Sequence, residues 1–186
     1  MRLMRYVVYK ETLVDFKEHV WTFLGSFVGI GLIGFLNSQL LTQQDNFFMI
    51  GSFGASAVLI YGIVNSPLAQ PRNLIGGHLI AAFVGVLVRF IFPDIVWLSS
   101  ALAVSSSIVA MQVTKTLHPP GGATALIANI GSEKVKNLGF MYVLSPVLTG
   151  VLILFVTALV FNSLSPHRTY PSNRKWYRFR MKKVSS

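Results

Sequence analysis

The sequence predicts an all-α fold, a polytopic transmembrane helix bundle of five to six membrane segments with broken or half helices at two Pro/Gly motifs. Three observations carry that expectation. Hydrophobic residues make up 53% of the chain and charged residues only 12%, about half the usual charged share of a globular protein. The charges are segregated, with long stretches between His19 and Asn162 carrying almost none. A chain of 186 residues cannot hide all of those stretches in one core, so their solvent is lipid. Proline and glycine clusters then cut the apolar runs into pieces of helical length.

Residues 1–19 mix basic, acidic and apolar positions, and Val14, Lys17, Glu18 and Trp21 suggest an amphipathic cytoplasmic leader lying along the interface. The transmembrane domain is expected over 20–162. Its first span is Val20–Leu41, uncharged and about 33 Å long as a helix. Gly25-x-x-x-Gly29 and Gly31-x-x-Gly34 give that span a small-residue face, suited either to packing relief or to a seam between copies. Gln43–Asn46 is a polar turn. Phe47–Val64 is the second span, ending at Asn65–Asn73, where Pro67 and Pro71 forbid a continuous helix. Leu74–Phe92 is the third, interrupted only by His78 and Arg89, and Ile95–Leu117 the fourth, containing Ser105-Ser106-Ser107. His118-Pro119-Pro120-Gly121-Gly122 breaks the chain again. Ala123–Ile130 is apolar but only about 12 Å long as a helix, Ser132–Asn137 is polar, and Leu138–Asn162 is a last span kinked at Pro146. Residues 163–186 form a basic cytoplasmic tail.

Basic residues orient the bundle. Arg2, Arg5, Lys10, Lys17, Arg72, Lys115 and the tail fit the cytoplasm, and the turns at Gln43–Asn46 and Pro93-Asp94 fit the other side. Five crossings put the termini on opposite faces, against the basic tail. A sixth segment running back over Gly121–Gly131 removes the conflict, at the cost of placing Lys134 and Lys136 outside. A short internal echo, Ser56–Ile60 against Ser105–Val109 with Pro71 and Pro120 following at equal distance, is consistent with two related halves or with chance.

The net charge of +10 raises nucleic-acid binding, but seven of the sixteen basic residues follow Pro166. A basic run directly after a membrane segment reads as an anchor for anionic headgroups, so no nucleic-acid partner is expected. The chain has no cysteine, which excludes disulfides and thiolate chemistry. Glu11, Asp15 and Glu18 make the leader too acidic for an organellar transit peptide.

The second break is where chemistry is expected. Two prolines supply no backbone donors, and two glycines let the backbone turn and a ligand approach. A helix beginning at Gly122 or Ala123 leaves its first N–H groups unpaired and partly positive, open to a small anion. Lys115 and His118 add charge or a proton, Thr124 a hydroxyl, and Arg72 with Asn73 repeat the pattern after Pro71. Each also has a plain structural reading: His118 as a helix cap, Lys115 and Arg89 as snorkelling anchors, His78 as a cross-helix hydrogen bond, and the serines bonding back to their own helix. The spacings of common metal, hydrolase and phosphate-loop sites are missing. Asp45, Asp94 and Glu133 all fall in turns, which leaves His78 and His118 as the protonatable groups inside. Neither an enzyme, a metal nor a cofactor is expected.

Thr116–Leu126, which contains His118-Pro119-Pro120-Gly121-Gly122-Ala123-Thr124, resembles the signature of the HPP family of integral membrane proteins. Ser66–Asn73, followed by Gly76-Gly77-His78, is similar to that family's second hallmark. The resemblance covers roughly residues 15–163. It implies a multi-spanning protein and, because some plant-plastid and cyanobacterial relatives are implicated in nitrite transport, a transporter or channel for a small inorganic anion with nitrite the leading candidate. Substrate-binding residues are then expected at Arg72, Asn73, Lys115, His118, Gly121, Gly122, Ala123 and Thr124. Pro67, Pro71, Pro119 and Pro120 form the structural breaks. Some relatives carry CBS-type regulatory domains, for which this chain has no length. The alternative is a non-transporting membrane scaffold. A bacterial plasma membrane with both termini cytoplasmic is expected, as is a homo-oligomer through the first-span glycines, since five or six spans make a thin wall around a polar path.

Overall fold

The computed structural model describes residues 16–40 and 50–172. The earlier part of the leader, the turn at Gln43–Asn46 and the tail beyond Ser172 lie outside them. The described residues form seven helices. These are α1 (Phe16–Leu40), α2 (Gly51–Ala57, continued by a π turn, Val58–Gly62), α3 (Pro71–Ile91), α4 (Val96–Val113), α5 (Pro119–Ile130), α6 (Glu133–Asn137) and α7 (Thr149–Leu164). A 3-10 turn, Pro67–Ala69, sits between α2 and α3. A π segment, Val143–Leu148, leads into α7.

Among the described residues α1, α3, α4 and the run Val143–Leu164 are long and apolar enough to cross a bilayer. Large apolar side chains face outward along them, among them Phe23, Phe27, Phe35, Phe90, Trp97 and Val113. In water that surface would be an aggregation liability; against acyl chains it is the solvated face. Pro146 kinks the last segment as expected, with Ser145 in extended backbone just before it.

The segments alternate in direction. Thr22 near the start of α1 donates to the Tyr61 carbonyl at the end of α2 (3.0 Å). Arg72 at the start of α3 donates to the Thr114 carbonyl after α4 (2.8 Å), and Asn73 to the Leu117 carbonyl just before α5 (2.7 Å). At the far end, Asn129 of α5 donates to the Gly85 carbonyl of α3 (3.2 Å), and Phe90 stacks on Phe140. Hence α5 runs back through the bundle as the sixth segment, and the first and last described residues lie at the same end. At 12 residues, α5 is about 18 Å long and too short to span alone.

A buried ionic clasp closes that end. Arg168, beyond α7, reaches back between α1 and α2. Its Nε–H bonds Glu18 Oε2. Nη1 bonds the Tyr61 carbonyl and Asn162 Oδ1 (both 3.1 Å), and Nη2 bonds the Glu18 carbonyl (2.6 Å) and Thr22 Oγ1 (2.7 Å). All five guanidinium hydrogens are used, and Ser165 donates to the other Glu18 oxygen. The sequence alone suggests an interfacial leader for Glu18 and a headgroup-binding tail for Arg168. Both belong instead to the bundle. The described part of α1 already takes in the end of the expected leader, from Phe16, and Tyr170 packs back on the Ala69 carbonyl (3.0 Å).

Two glycines of α1 take the packing role. A Cβ on Gly25 would lie 2.7 Å from the Tyr61 ring, and one on Gly29 2.5 Å from the Tyr61 hydroxyl. Gly25 and Gly29 thus bring α1 against its own neighbours, whereas Gly31 is exposed with no atom within 4 Å of a Cβ placed there.

Candidate functional site

The two sequence breaks are brought together. Helix α3 begins at Pro71 and α5 at Pro119, so each break delivers the chain into a helix whose first residue is proline. That position suits proline, because the missing N–H has no intrahelical acceptor there and φ is already helical. Residues 116–118 then lie directly across α3. A Cβ on Gly76 would meet Thr116 Cγ2 at 2.6 Å, and one on Gly77 would meet His118 Cβ at 2.5 Å. Only glycine at these two positions lets the second break pack on the helix that follows the first.

This geometry overturns the expected anion cradle. The helix starts three to four residues earlier than Gly122 or Ala123. Pro119 and Pro120 have no N–H, and Gly121 N–H already bonds the His118 carbonyl (2.8 Å). Gly121 is buried, and a Cβ there would lie 3.0 Å from the Gly77 carbonyl. It serves the close approach of α3 and α5. Gly122 and Ala123 are half-buried and line an apolar groove with Val104, Ile108 and Leu126. Arg72 and Asn73 sit in the first turn of α3, where they clasp carbonyls of the other break. Lys115 is exposed, with φ +57° in the turn that ends α4.

His118 occupies the N-cap position of α5, but its side chain caps nothing. The ring turns inward instead and is fully buried, as are His78, Ser56 and Thr124. Ser56 Oγ on α2 lies 2.7 Å from His78 Nε2 and 2.9 Å from His118 Nε2. His78 Nδ1 lies 2.7 Å from Thr124 Oγ1 on α5, and His118 Nδ1 lies 2.8 Å from the Leu68 carbonyl oxygen. His78 thus bonds across helices as expected, and the serines at 105 and 107 bond back to their own helix.

Counting hydrogens assigns the tautomers. The Leu68 carbonyl only accepts, so His118 carries its hydrogen on Nδ1. In the neutral ring Nε2 is then bare and takes the hydroxyl hydrogen of Ser56. With that hydrogen committed, His78 Nε2 must donate to Ser56 Oγ, and His78 Nδ1 must accept from Thr124. The result is a one-way chain of donors, from Thr124 through His78, Ser56 and His118 to Leu68. Tyr142, also buried, steadies its head by donating to the Thr124 carbonyl (3.0 Å).

Ser56, Leu68 and Tyr142 do not stand out in the sequence as site residues. Ser52 and Ser56, one helical turn apart, are the available signal for a polar stripe. The Leu68 carbonyl, a backbone group, leaves none.

Residues 11–171 match the family model described as HPP, transmembrane region. Two curated relatives, both named transmembrane proteins of Dictyostelium discoideum, are similar to the chain. One is 44% identical over 160 residues, covering 84% of this chain and 51% of the relative. The other is 46% identical over 165 residues, covering 87% and 58%. The chain therefore spans a little over half the length of these curated relatives. No solved structure matches. Because the matched region takes in all seven helices, both breaks and the clasp, the chain belongs to the HPP transmembrane family.

Proposed function

We propose that the protein carries a small inorganic anion across the membrane, nitrite being the leading candidate. The observation that carries this reading is the fully buried chain of Thr124, His78, Ser56 and His118 inside an apolar bundle. Ionisable side chains at membrane depth are costly and mark ion pathways and proton relays. The N-terminal, positive ends of α3 and α5 converge beside it, with Arg72 and Lys115 at the same end. Together they make that end attractive to an anion through its field, without free backbone donors. Resemblance to relatives implicated in nitrite transport supplies the choice of ion. Purified protein in liposomes should pass nitrite faster than nitrate, formate or chloride, and His118→Ala should abolish the difference. Equal leakage with and without protein would end the proposal.

One observation favours the alternative of a membrane scaffold. The polar groups described at the two breaks, from Arg72 and Asn73 to His118, bond to the chain itself, as an architectural device requires. A scaffold should lose its partner when residues 173–186 are removed, whereas a transporter should keep its flux. The cut belongs after Ser172, because an earlier one removes Arg168 and the clasp.

In this reading no reaction is catalysed, copies associate through lipid-facing surface other than Gly25 and Gly29, and the shared end of the bundle faces the cytoplasm. The bacterial plasma membrane is one setting for this reading, and a eukaryotic membrane is the other, since both curated relatives come from a eukaryote. Imaging and fractionation of a tagged chain separate these two settings.

A further inference from the structure

Ser56 has one hydroxyl hydrogen and two acceptors for it. Besides His118 Nε2, the oxygen lies 3.0 Å from the Ser52 carbonyl, one turn back on α2. We propose that His118 is the binding site for a single proton, with the Ser56 hydroxyl as the rotor that admits it.

The balance closes without displacing any heavy atom. A proton arriving at His118 Nε2 forms one N–H bond and turns that nitrogen from acceptor to donor. The Ser56 hydroxyl swings from His118 to the Ser52 carbonyl, a common back-bond for a helical serine. Ser56 Oγ then accepts from both rings, using both lone pairs. His118 as imidazolium has both N–H groups satisfied, by Leu68 and Ser56, and His78 keeps its bonds to Ser56 and Thr124. Release reverses the swing.

His78 is the poorer site. A proton on its Nδ1 would drive the Thr124 hydroxyl toward the Pro120 carbonyl at 3.4 Å, beyond the range of a good O–H···O bond. Both rings cannot be charged together, because their centroids are 4.9 Å apart. The groups facing His118 are Ser56 from α2, His78 from α3 and the Leu68 carbonyl from the 3-10 turn, with Thr124 of α5 on the far side of His78. Tyr142 stands behind Thr124, and Arg72 and Lys115 are cations at the same end of the bundle, as are Lys17 and the clasped Arg168. Among the described residues no carboxylate bonds either ring. Hydrogen bonds alone hold the proton, which suits a site that loads and unloads. That this proton moves together with the anion rests on the transport reading; the site itself does not.

The test is nitrogen NMR of histidine-labelled protein in nanodiscs, titrated from alkaline pH downward. One buried ring should pass from singly to doubly protonated, and it should be the ring whose signal disappears in His118→Gln. Ser56→Ala should move that midpoint by at least about one pH unit, a tenfold change in proton affinity, and Ser56→Thr should restore it. Protonation of His78 first, or two neutral rings at every pH where the protein stays folded, overturns the proposal. The wild-type titration decides this even if Ser56→Ala does not fold. Liposome flux then separates the two readings. A protonating His118 with pH-independent nitrite flux removes the coupling, and one with no flux removes transport while leaving the site.

Discussion

Two buried polar clusters tie this bundle together, and they differ in one hydrogen. The clasp of Arg168 on Glu18 is saturated, with five donors meeting five acceptors drawn from α1, the α2 π turn and α7. No second arrangement of its hydrogens exists. The chain through His78, Ser56 and His118 is one hydrogen short, because Ser56 can satisfy either His118 or Ser52 but not both. A saturated cluster fixes geometry. A cluster with a choice can change state at constant geometry, and that difference separates the supporting part of the molecule from the part able to do work.

The strongest way to break the comparison is to unsaturate the clasp. Arg168→Met leaves the Glu18 carboxylate buried without its cation, a loss of about 3–5 kcal/mol for a pair of this kind. Unfolding in mixed detergent micelles should show it. Adding Glu18→Gln to Arg168→Met should recover part of the loss, since the uncompensated charge goes with it. If Arg168→Met alone is as stable as the wild type, the clasp is not what holds α1 and α7 together.

The chain of histidines depends on how closely α3 and α5 approach. A Cβ on Gly85 would lie 2.7 Å from the Ala125 carbonyl oxygen and 2.8 Å from Ala125 Cα. Backbone atoms cannot yield as a flexible side chain does, so Gly85→Ala should cost about 1–3 kcal/mol. Gly122→Ala is the control within the His-Pro-Pro-Gly-Gly motif. Its nearest neighbour is Val104 Cγ1 at 3.9 Å, and it should be neutral or slightly stabilising through helix propensity. Equal destabilisation by the two would show that the glycines do not divide into packing and non-packing positions.

Removing the head of the donor chain is a smaller insult. Thr124→Val keeps the shape and deletes the hydroxyl, leaving His78 Nδ1 as a buried acceptor without a donor, worth about 1–3 kcal/mol. Thr124→Ser should return most of it. A Thr124→Val variant of wild-type stability with unchanged histidine NMR signals would contradict the tautomers assigned to both rings.

The membrane setting, the alternation of segments and the place of the breaks are legible in the sequence, because charge-free length and proline are local signals. The run-back of α5 follows from charge asymmetry alone. The contents of the site are harder to read. His78 and His118 stand out in the sequence as protonatable groups inside, yet the prolines look like the stop of a helix when they start one. That choice depends on where the preceding helix ends, and α4 ends at Val113 through a left-handed turn at a lysine, with no glycine to announce it. Arg168 reads as surface charge because composition cannot distinguish a basic residue that faces headgroups from one that folds back 150 positions to meet Glu18.

The turn at Lys115 gives the smallest effect and a clean one. Thr116 N–H bonds the Met111 carbonyl (2.8 Å) and Lys115 N–H the Gln112 carbonyl (3.1 Å), the paired bonds of a Schellman ending. That ending calls for glycine, and a lysine at φ +57° costs about 1 kcal/mol against it. Lys115→Gly should therefore raise stability by about that amount, through relief of backbone strain, since the side chain lost is an exposed one. Nitrite flux provides the second readout. If Lys115 acts only as a turn residue, the stabilised variant keeps its flux. If its charge attracts the anion at the mouth, flux falls while stability rises, and Lys115→Arg retains the flux without the stability. Opposite movements in one variant would assign Lys115 to the working half of the comparison, beside His118, rather than to the supporting half with the clasp.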